Sequence, residues 1–129
     1  KVGEKYIITS SQSIYDLMRA EIGNLSHEEI WAIYLGRRND VILKKRISSG
    51  SATASIFDVK AIIKEALLLD AQGMALAHNH PSGNLMPSGS DDQITRKMKE
   101  ATKLMDIRMV DHLIVTASGF YSYYDSGRL

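Results

Sequence analysis

Two histidines lie two positions apart at the end of an apolar run. His78 and His80 follow residues 74–77, which are Met-Ala-Leu-Ala and predict a short strand. Because side chains at i and i+2 of a strand project to the same side, both imidazoles can reach one point in space. Two imidazole nitrogens and one carboxylate oxygen are a common ligand set for a catalytic zinc ion, with one position left open. The spacing therefore indicates a metal site at this strand end.

The carboxylate would come from the segment that follows the histidines. A loop rich in Gly, Pro and Ser over residues 79–87 leads to Ser88, and Asp91 follows three residues later. Ser-x-x-Asp before an amphipathic segment is typical of a helix capping box. An N3 carboxylate leans back toward the helix start, where the histidine loop should lie, so Asp91 can serve as cap and ligand together. Asp92 is the competing carboxylate.

Other polar residues could support this site. Glu29 begins an apolar segment that ends at Gly36, and its carboxylate is either the exposed start of a strand or a general base beside the metal. Composition does not distinguish Glu29 from the neighbouring Glu28. We interpret His112 as a hydrogen-bonded histidine of a strand that could support a metal ligand, and His27 as part of a surface turn.

Composition limits the class of protein. With 129 residues, 44% of them hydrophobic and 24% charged, the chain predicts one globular domain. The net charge of +1 gives no sign of a polyanionic partner. Zero cysteines exclude thiolate zinc sites and disulfides, and no apolar run reaches the ~20 residues that span a bilayer. We expect a cytoplasmic protein without membrane contact, and Lys1 in first position indicates a domain excised from a longer protein.

Hydrophobic periodicity and turn signals predict an α/β domain with a mixed central β-sheet flanked by helices. A small, polar segment over residues 50–54 is expected to be a loop or an edge. The strand over 74–78 has no polar face and should be central. The predicted elements, in the order α-ββ-α-β-α-ββ, cover residues 14–22, 29–35, 41–48, 58–70, 74–78, 88–105, 108–116 and 120–124.

Several of these residues match the motif of the JAMM-type metalloproteases, which have the JAB/MPN fold. The matching pieces are Glu29-x5-Leu35-Gly36, His78-x-His80-Pro81 and Ser88-x2-Asp91. The runs AHNHPSGNLMPSGSDDQITRKMKEA and MDIRMVDHLIV resemble the RadC branch, bacterial proteins often named as DNA repair proteins. This resemblance extends from about residue 10 to the C-terminus.

The resemblance implies a JAB/MPN (cytidine-deaminase-like) fold for residues 1–129 and a function. His78, His80 and Asp91 would bind Zn2+, Glu29 would act as general base and proton shuttle, and Ser88 would hydrogen-bond the oxyanion. The reaction would be hydrolysis of a peptide or isopeptide bond in an unidentified peptide or protein substrate. RadC proteins usually carry an N-terminal helix-hairpin-helix region. The resemblance therefore implies that this chain is the C-terminal fragment of a longer protein and that nucleic acid would be contacted only through the additional part.

Other functions compete with this one. A DNA-repair-associated binding or scaffold domain without catalysis is the main alternative, although no DNA-binding motif is evident. A degenerate domain of the same fold would lack ligands that this chain retains. An iron site of the two-histidine, one-carboxylate type has similar donors but fits the motif order less well. A zinc deaminase would need Glu at position 80 and a Cys pair. The adjacent letters His-Asn-His do not match an HNH nuclease, whose residues are spread over a hairpin and a helix.

Overall fold

Three helices cover the two faces of a five-stranded sheet in the computed structural model, which describes residues 5–50 and 55–129. The order of elements is the predicted one, so the α/β class is confirmed. The expectation for residues 51–54 lies outside the described part. The elements are α1 (Ser11–Ile22), β1 (Glu29–Leu35), β2 (Val41–Ser49), α2 (Val59–Leu68), β3 (Gly73–Asn79), α3 (Gly89–Leu104), β4 (Arg108–Val115) and β5 (Phe120–Ser122).

Strand β3 is the centre of the sheet, whose order is β2-β1-β3-β4-β5. Only the β3–β4 pair is parallel, and the other three pairs are antiparallel. All seven residues of β3 are buried, as its apolar sequence predicted. Strand β5 ends earlier than predicted because the chain turns after Ser122, where the N–H of Ser126 donates to the Ser122 carbonyl.

Alternation along the strands separates two hydrophobic clusters, one on each face of the sheet. On one face, Met74 and Leu76 of β3 pack with helices α2 and α3. On the other face, Ala75 and Ala77 pack with helix α1. Even-numbered residues of β1 and β3 therefore face α2 and α3, whereas odd-numbered residues face α1.

The parallel connection from β3 to β4 runs through helix α3. Helix α3 consequently begins near the carboxyl end of β3, the edge at which α/β sheets commonly bind ligands. No helix in the described ranges is long and apolar enough to cross a lipid bilayer.

Helix α3 offers a test of this packing. Met98 is fully buried between the helix and the sheet, whereas Leu104 on the same helix is 80% exposed. We expect Met98→Ala to lower the free energy of unfolding by about 2–5 kcal/mol, because it removes apolar contacts and leaves a cavity. Leu104→Ala should change it by less than about 0.5 kcal/mol. Urea denaturation followed by Trp31 fluorescence measures both, and equal losses would contradict the assignment of the buried face.

Candidate metal centre

The side chains of His78, His80 and Asp91 meet at the carboxyl end of β3. One donor atom from each lies within 4.8 Å of the other two. Nδ1 of His78 is 2.9 Å from Oδ1 of Asp91, and Nε2 of His80 is 3.2 Å from Oδ2 of the same carboxylate. The structure thus brings together the three residues predicted as metal ligands, from the end of a central strand and the first turn of α3.

Asp91 also caps its own helix. Its Oδ2 accepts a hydrogen bond from the backbone N–H of Ser88 at 2.8 Å, and its backbone N–H donates to Oγ of Ser88 at 3.0 Å. Burial alone would raise the pKa of Asp91, but the adjacent imidazoles of His78 and His80 and the hydrogen bond from the Ser88 N–H outweigh it and hold that pKa well below its usual range. Asp91 is therefore ionised at neutral pH, as a metal ligand must be.

The loop after β3 orients His80. Nδ1 of His80 lies 2.7 Å from the carbonyl oxygen of Asn84. Because a carbonyl only accepts, Nδ1 carries a proton and Nε2 is the nitrogen that can bind a metal. The loop reaches this shape through Gly83, whose φ of 84° favours glycine. The hydrogen bond to Asp91 raises the pKa of His80 against the opposing effect of burial.

His78 is 2% exposed, nearly as enclosed as Asp91 at 1%. Its Nε2 hydrogen-bonds Oε1 of Glu28 at 2.7 Å. Its buried Nδ1, although close to the carboxylate of Asp91, has no hydrogen-bond partner in residues 5–50 and 55–129. A buried polar atom of this kind is costly unless something satisfies it. Two imidazoles facing one ionised carboxylate suit a metal ion, so the residues present fit one.

The carboxylate beside this cluster belongs to Glu28 and not to Glu29, which corrects the placement expected from the sequence. Oε1 of Glu29 accepts from the indole N–H of Trp31 at 2.9 Å, and Oε2 lies 2.8 Å from Nε2 of His27. Successive side chains along an extended segment point to opposite faces. Since Glu28 points toward His78, Glu29 points to the α1 side. Burial would raise the pKa of Glu29, but the bonds from Trp31 and His27 lower it overall.

The sequence could have identified Glu28 only if the pairing of β1 with β3 had been known. Ile30 of β1 pairs with His78 of β3, and Ile30 packs on the α2–α3 face. A residue two positions before Ile30 shares that face, which selects Glu28. His27 is exposed, as expected for a turn, although it also borders the cleft.

An open cleft of about 580 Å³ contains the cluster. Ser88 borders it and is exposed. Its Oγ accepts from the Asp91 N–H, so the hydroxyl proton can still be donated into the cleft. Asp92, the competing carboxylate, instead accepts from the Tyr123 hydroxyl at 2.6 Å and from Arg128 at 2.8 Å. Asp92 therefore attaches the C-terminal segment to α3 and takes no part in the cluster.

His112 supports the backbone of Asp91 through Thr95. The Thr95 hydroxyl donates to the Asp91 carbonyl at 2.8 Å and lies 2.6 Å from Nδ1 of His112. Because this hydroxyl has one proton, it accepts from Nδ1–H of His112. His112 is fully buried, and burial lowers its pKa to about 3. The structure thus has a hydrogen-bonded strand histidine at this position, as predicted.

The neutral His112 makes stability depend on pH. In the unfolded chain its pKa is about 6.5, so between pH 6.5 and 3 the unfolded state binds more protons and stability falls as pH falls. We expect the difference in unfolding free energy between wild type and His112→Asn to shrink by roughly 2 kcal/mol from pH 7.5 to 4.5. Urea titrations with chelator present measure this, and a constant difference would contradict it.

Known proteins are similar to this chain over nearly its whole length. The sequence model of the family described as RadC-like JAB domain matches residues 8–128. A UPF0758 protein of Flavobacterium johnsoniae is 44% identical over 120 residues, which cover 93% of this chain and 52% of the relative. A UPF0758 protein of Streptococcus sanguinis is 39% identical over 123 residues, which cover 95% of this chain and 54% of the relative.

The UPF0758 protein YfjY of Escherichia coli K12 is 36% identical over 121 residues, which cover 94% of this chain and 76% of that protein. The chain spans about half the length of the Flavobacterium and Streptococcus relatives. Because the family model matches residues 8–128 and these relatives are 36–44% identical, the chain belongs to the RadC-like JAB domain family.

Proposed function

We propose that this domain is a zinc-dependent hydrolase of peptide or isopeptide bonds, as the JAMM-type motif implies. The observation that supports this most is the convergence of His78, His80 and Asp91, with the Glu28 carboxylate beside them, in one open cleft. A zinc ion held by the three ligands would supply Lewis acidity and lower the pKa of water from 15.7 toward ~7. The substrate is a peptide or protein.

Each remaining residue has a role in this proposal that its contacts allow. The Glu28 carboxylate takes the proton of the attacking water and passes it to the leaving amine. Its side chain is 33% exposed, so water in the cleft can reach it. The Ser88 hydroxyl donates to the oxygen of the amide carbonyl as negative charge develops there, a contact typically worth ~3 kcal/mol. The general-base role expected for Glu29 is thus proposed for Glu28.

The setting of the domain is also a proposal. We propose a cytoplasmic location, consistent with a chain without cysteine. Since the chain covers about half of two relatives, nucleic-acid contact is assigned to parts of a longer protein outside this domain. The alternative function, a scaffold without catalysis, predicts no metal requirement.

Metal content tests the ligand assignment. We expect about one zinc per wild-type chain by elemental mass spectrometry of untagged protein, because two imidazoles and a carboxylate fill three positions. The His78→Ala/His80→Ala double variant and Asp91→Ala should each lose it. Asp92→Ala is the matched control and should keep it. Wild-type protein that takes up no metal after zinc is supplied would favour the scaffold function.

Two adjacent glutamates provide the catalytic test. Incubation with a peptide library in H2(18O) labels each new C-terminal carboxylate that hydrolysis produces. We expect Glu28→Gln to lower this labelling by about 100- to 10,000-fold at full zinc occupancy, because the proton acceptor is lost. Glu29→Gln should retain most of it.

A different result would reassign Glu28. If Glu28→Gln instead lowered zinc affinity by about 10- to 100-fold while the zinc-saturated rate stayed normal, Glu28 would only orient His78. Normal labelling by Glu28→Gln combined with loss in Glu29→Gln would refute the assignment based on geometry.

A further inference from the structure

Asn79, between the two histidines, is a buried residue with a role that the metal site leaves unexplained. It is 1% exposed, and its side chain points away from those of its neighbours. Its Oδ1 accepts from the backbone N–H of Glu29 at 2.6 Å, and its Nδ2 donates to the carbonyl of His27 at 2.8 Å. One amide group therefore binds the main chain on both sides of Glu28.

These two bonds continue the sheet where backbone pairing stops. The β1–β3 ladder ends at the pair Ile30–His78. One step further along, the Asn79 amide supplies an acceptor and a donor, as a strand backbone would. On the other side, the Glu28 carbonyl accepts from the N–H of Gly50 at 2.7 Å. The backbone of residues 27–29 is thus held on one side by Asn79, the last residue of β3, and on the other by Gly50, which follows β2.

We propose that Asn79 is a positioning residue that fixes the backbone on both sides of Glu28, and so keeps the Glu28 carboxylate at the metal cleft. The proposal rests on the proposed function only in treating that carboxylate as the general base. On the β3 side, residues 27 and 28 lie beyond the last backbone pair, so the Asn79 amide supplies their support there. Without the amide, this side of the segment is released, and the Glu28 carboxylate can move away from His78.

The spectroscopic test does not need catalysis. A histidine-selective 1H–15N spectrum of the chelated, full chain reports on Nε2 of His78, which hydrogen-bonds Glu28. We expect Asn79→Leu, which keeps the side-chain size and removes both hydrogen bonds, to shift this resonance in the same direction as Glu28→Ala. The shift should be at least half as large, and the double variant should resemble Glu28→Ala alone.

A matched control separates positioning from general destabilisation. Thr102 is 1% exposed on α3, and its hydroxyl donates to backbone carbonyls there at 2.8 and 3.1 Å. Thr102→Val also loses buried hydrogen bonds but should leave the His78 resonance unchanged. If Asn79→Leu left that resonance unchanged as well, or if the double variant added the two separate shifts, the proposal would be overturned.

Wild-type protein provides a measurement that does not depend on the variant folding. Scalar couplings across hydrogen bonds should connect Nδ2 of Asn79 with the His27 carbonyl carbon, and the Glu29 amide nitrogen with Cγ of Asn79. Absence of both couplings would refute the contacts themselves.

Kinetic measurements test whether these contacts of Asn79 affect turnover. With any peptide that the 18O assay identifies, Asn79→Leu should lower kcat by about 100-fold with little change in KM or zinc content. It should cause no further loss in the Glu28→Gln background. An equal further loss in that background would contradict positioning through Glu28. If wild type hydrolyses nothing while the His78 shift and the couplings appear, the proposed function fails and the positioning role stands.

Discussion

Strand β3 constrains everything else in this domain. It is buried over its whole length between an antiparallel partner, β1, and a parallel partner, β4. Its side chains must alternate between two apolar clusters, and the chain leaves the sheet only after Asn79. Polar side chains at its carboxyl end therefore lie at the margin of these clusters. His78 turns toward α3, and His80 follows it from the loop, so the candidate metal site lies where burial of the strand ends.

Helix α3 contributes Asp91 to the cluster, and the same residue caps the start of the helix. A carboxylate at N3 of a capping box satisfies an N–H of the helix start and lies in the positive end of the helix dipole. Asp91 is that residue, and its second oxygen faces His78. The same interactions that begin the helix thus hold this candidate ligand in its ionised form. Thr95 and His112 support its backbone from below.

The order of elements and the meeting of the two histidines were predictable from the sequence because each depends on local spacing. His78 and His80 share a face through the strand period, whereas the capping pattern only admits Asp91, which the resemblance to the JAMM-type motif favours over Asp92. The choice between Glu28 and Glu29 depends on how β1 pairs with β3, which is a contact between residues about fifty positions apart. Local patterns do not contain that register. The same applies to Asn79, whose partners are His27 and Glu29.

Glu28 and Glu29 are neighbours in the sequence, but their carboxylates lie in different surroundings. The carboxylate of Glu29 is occupied on both oxygens by Trp31 and His27, and Arg46 lies 3.7 Å away. These contacts favour its charged form and oppose proton uptake, so Glu29 suits an anchor of the β1 start. The Glu28 carboxylate hydrogen-bonds His78, a candidate metal ligand, and borders the open cleft. A proton acceptor needs that access to water, which the register of β1 on β3 gives to Glu28, and the Asn79 amide holds the backbone just beyond the last pair of that register.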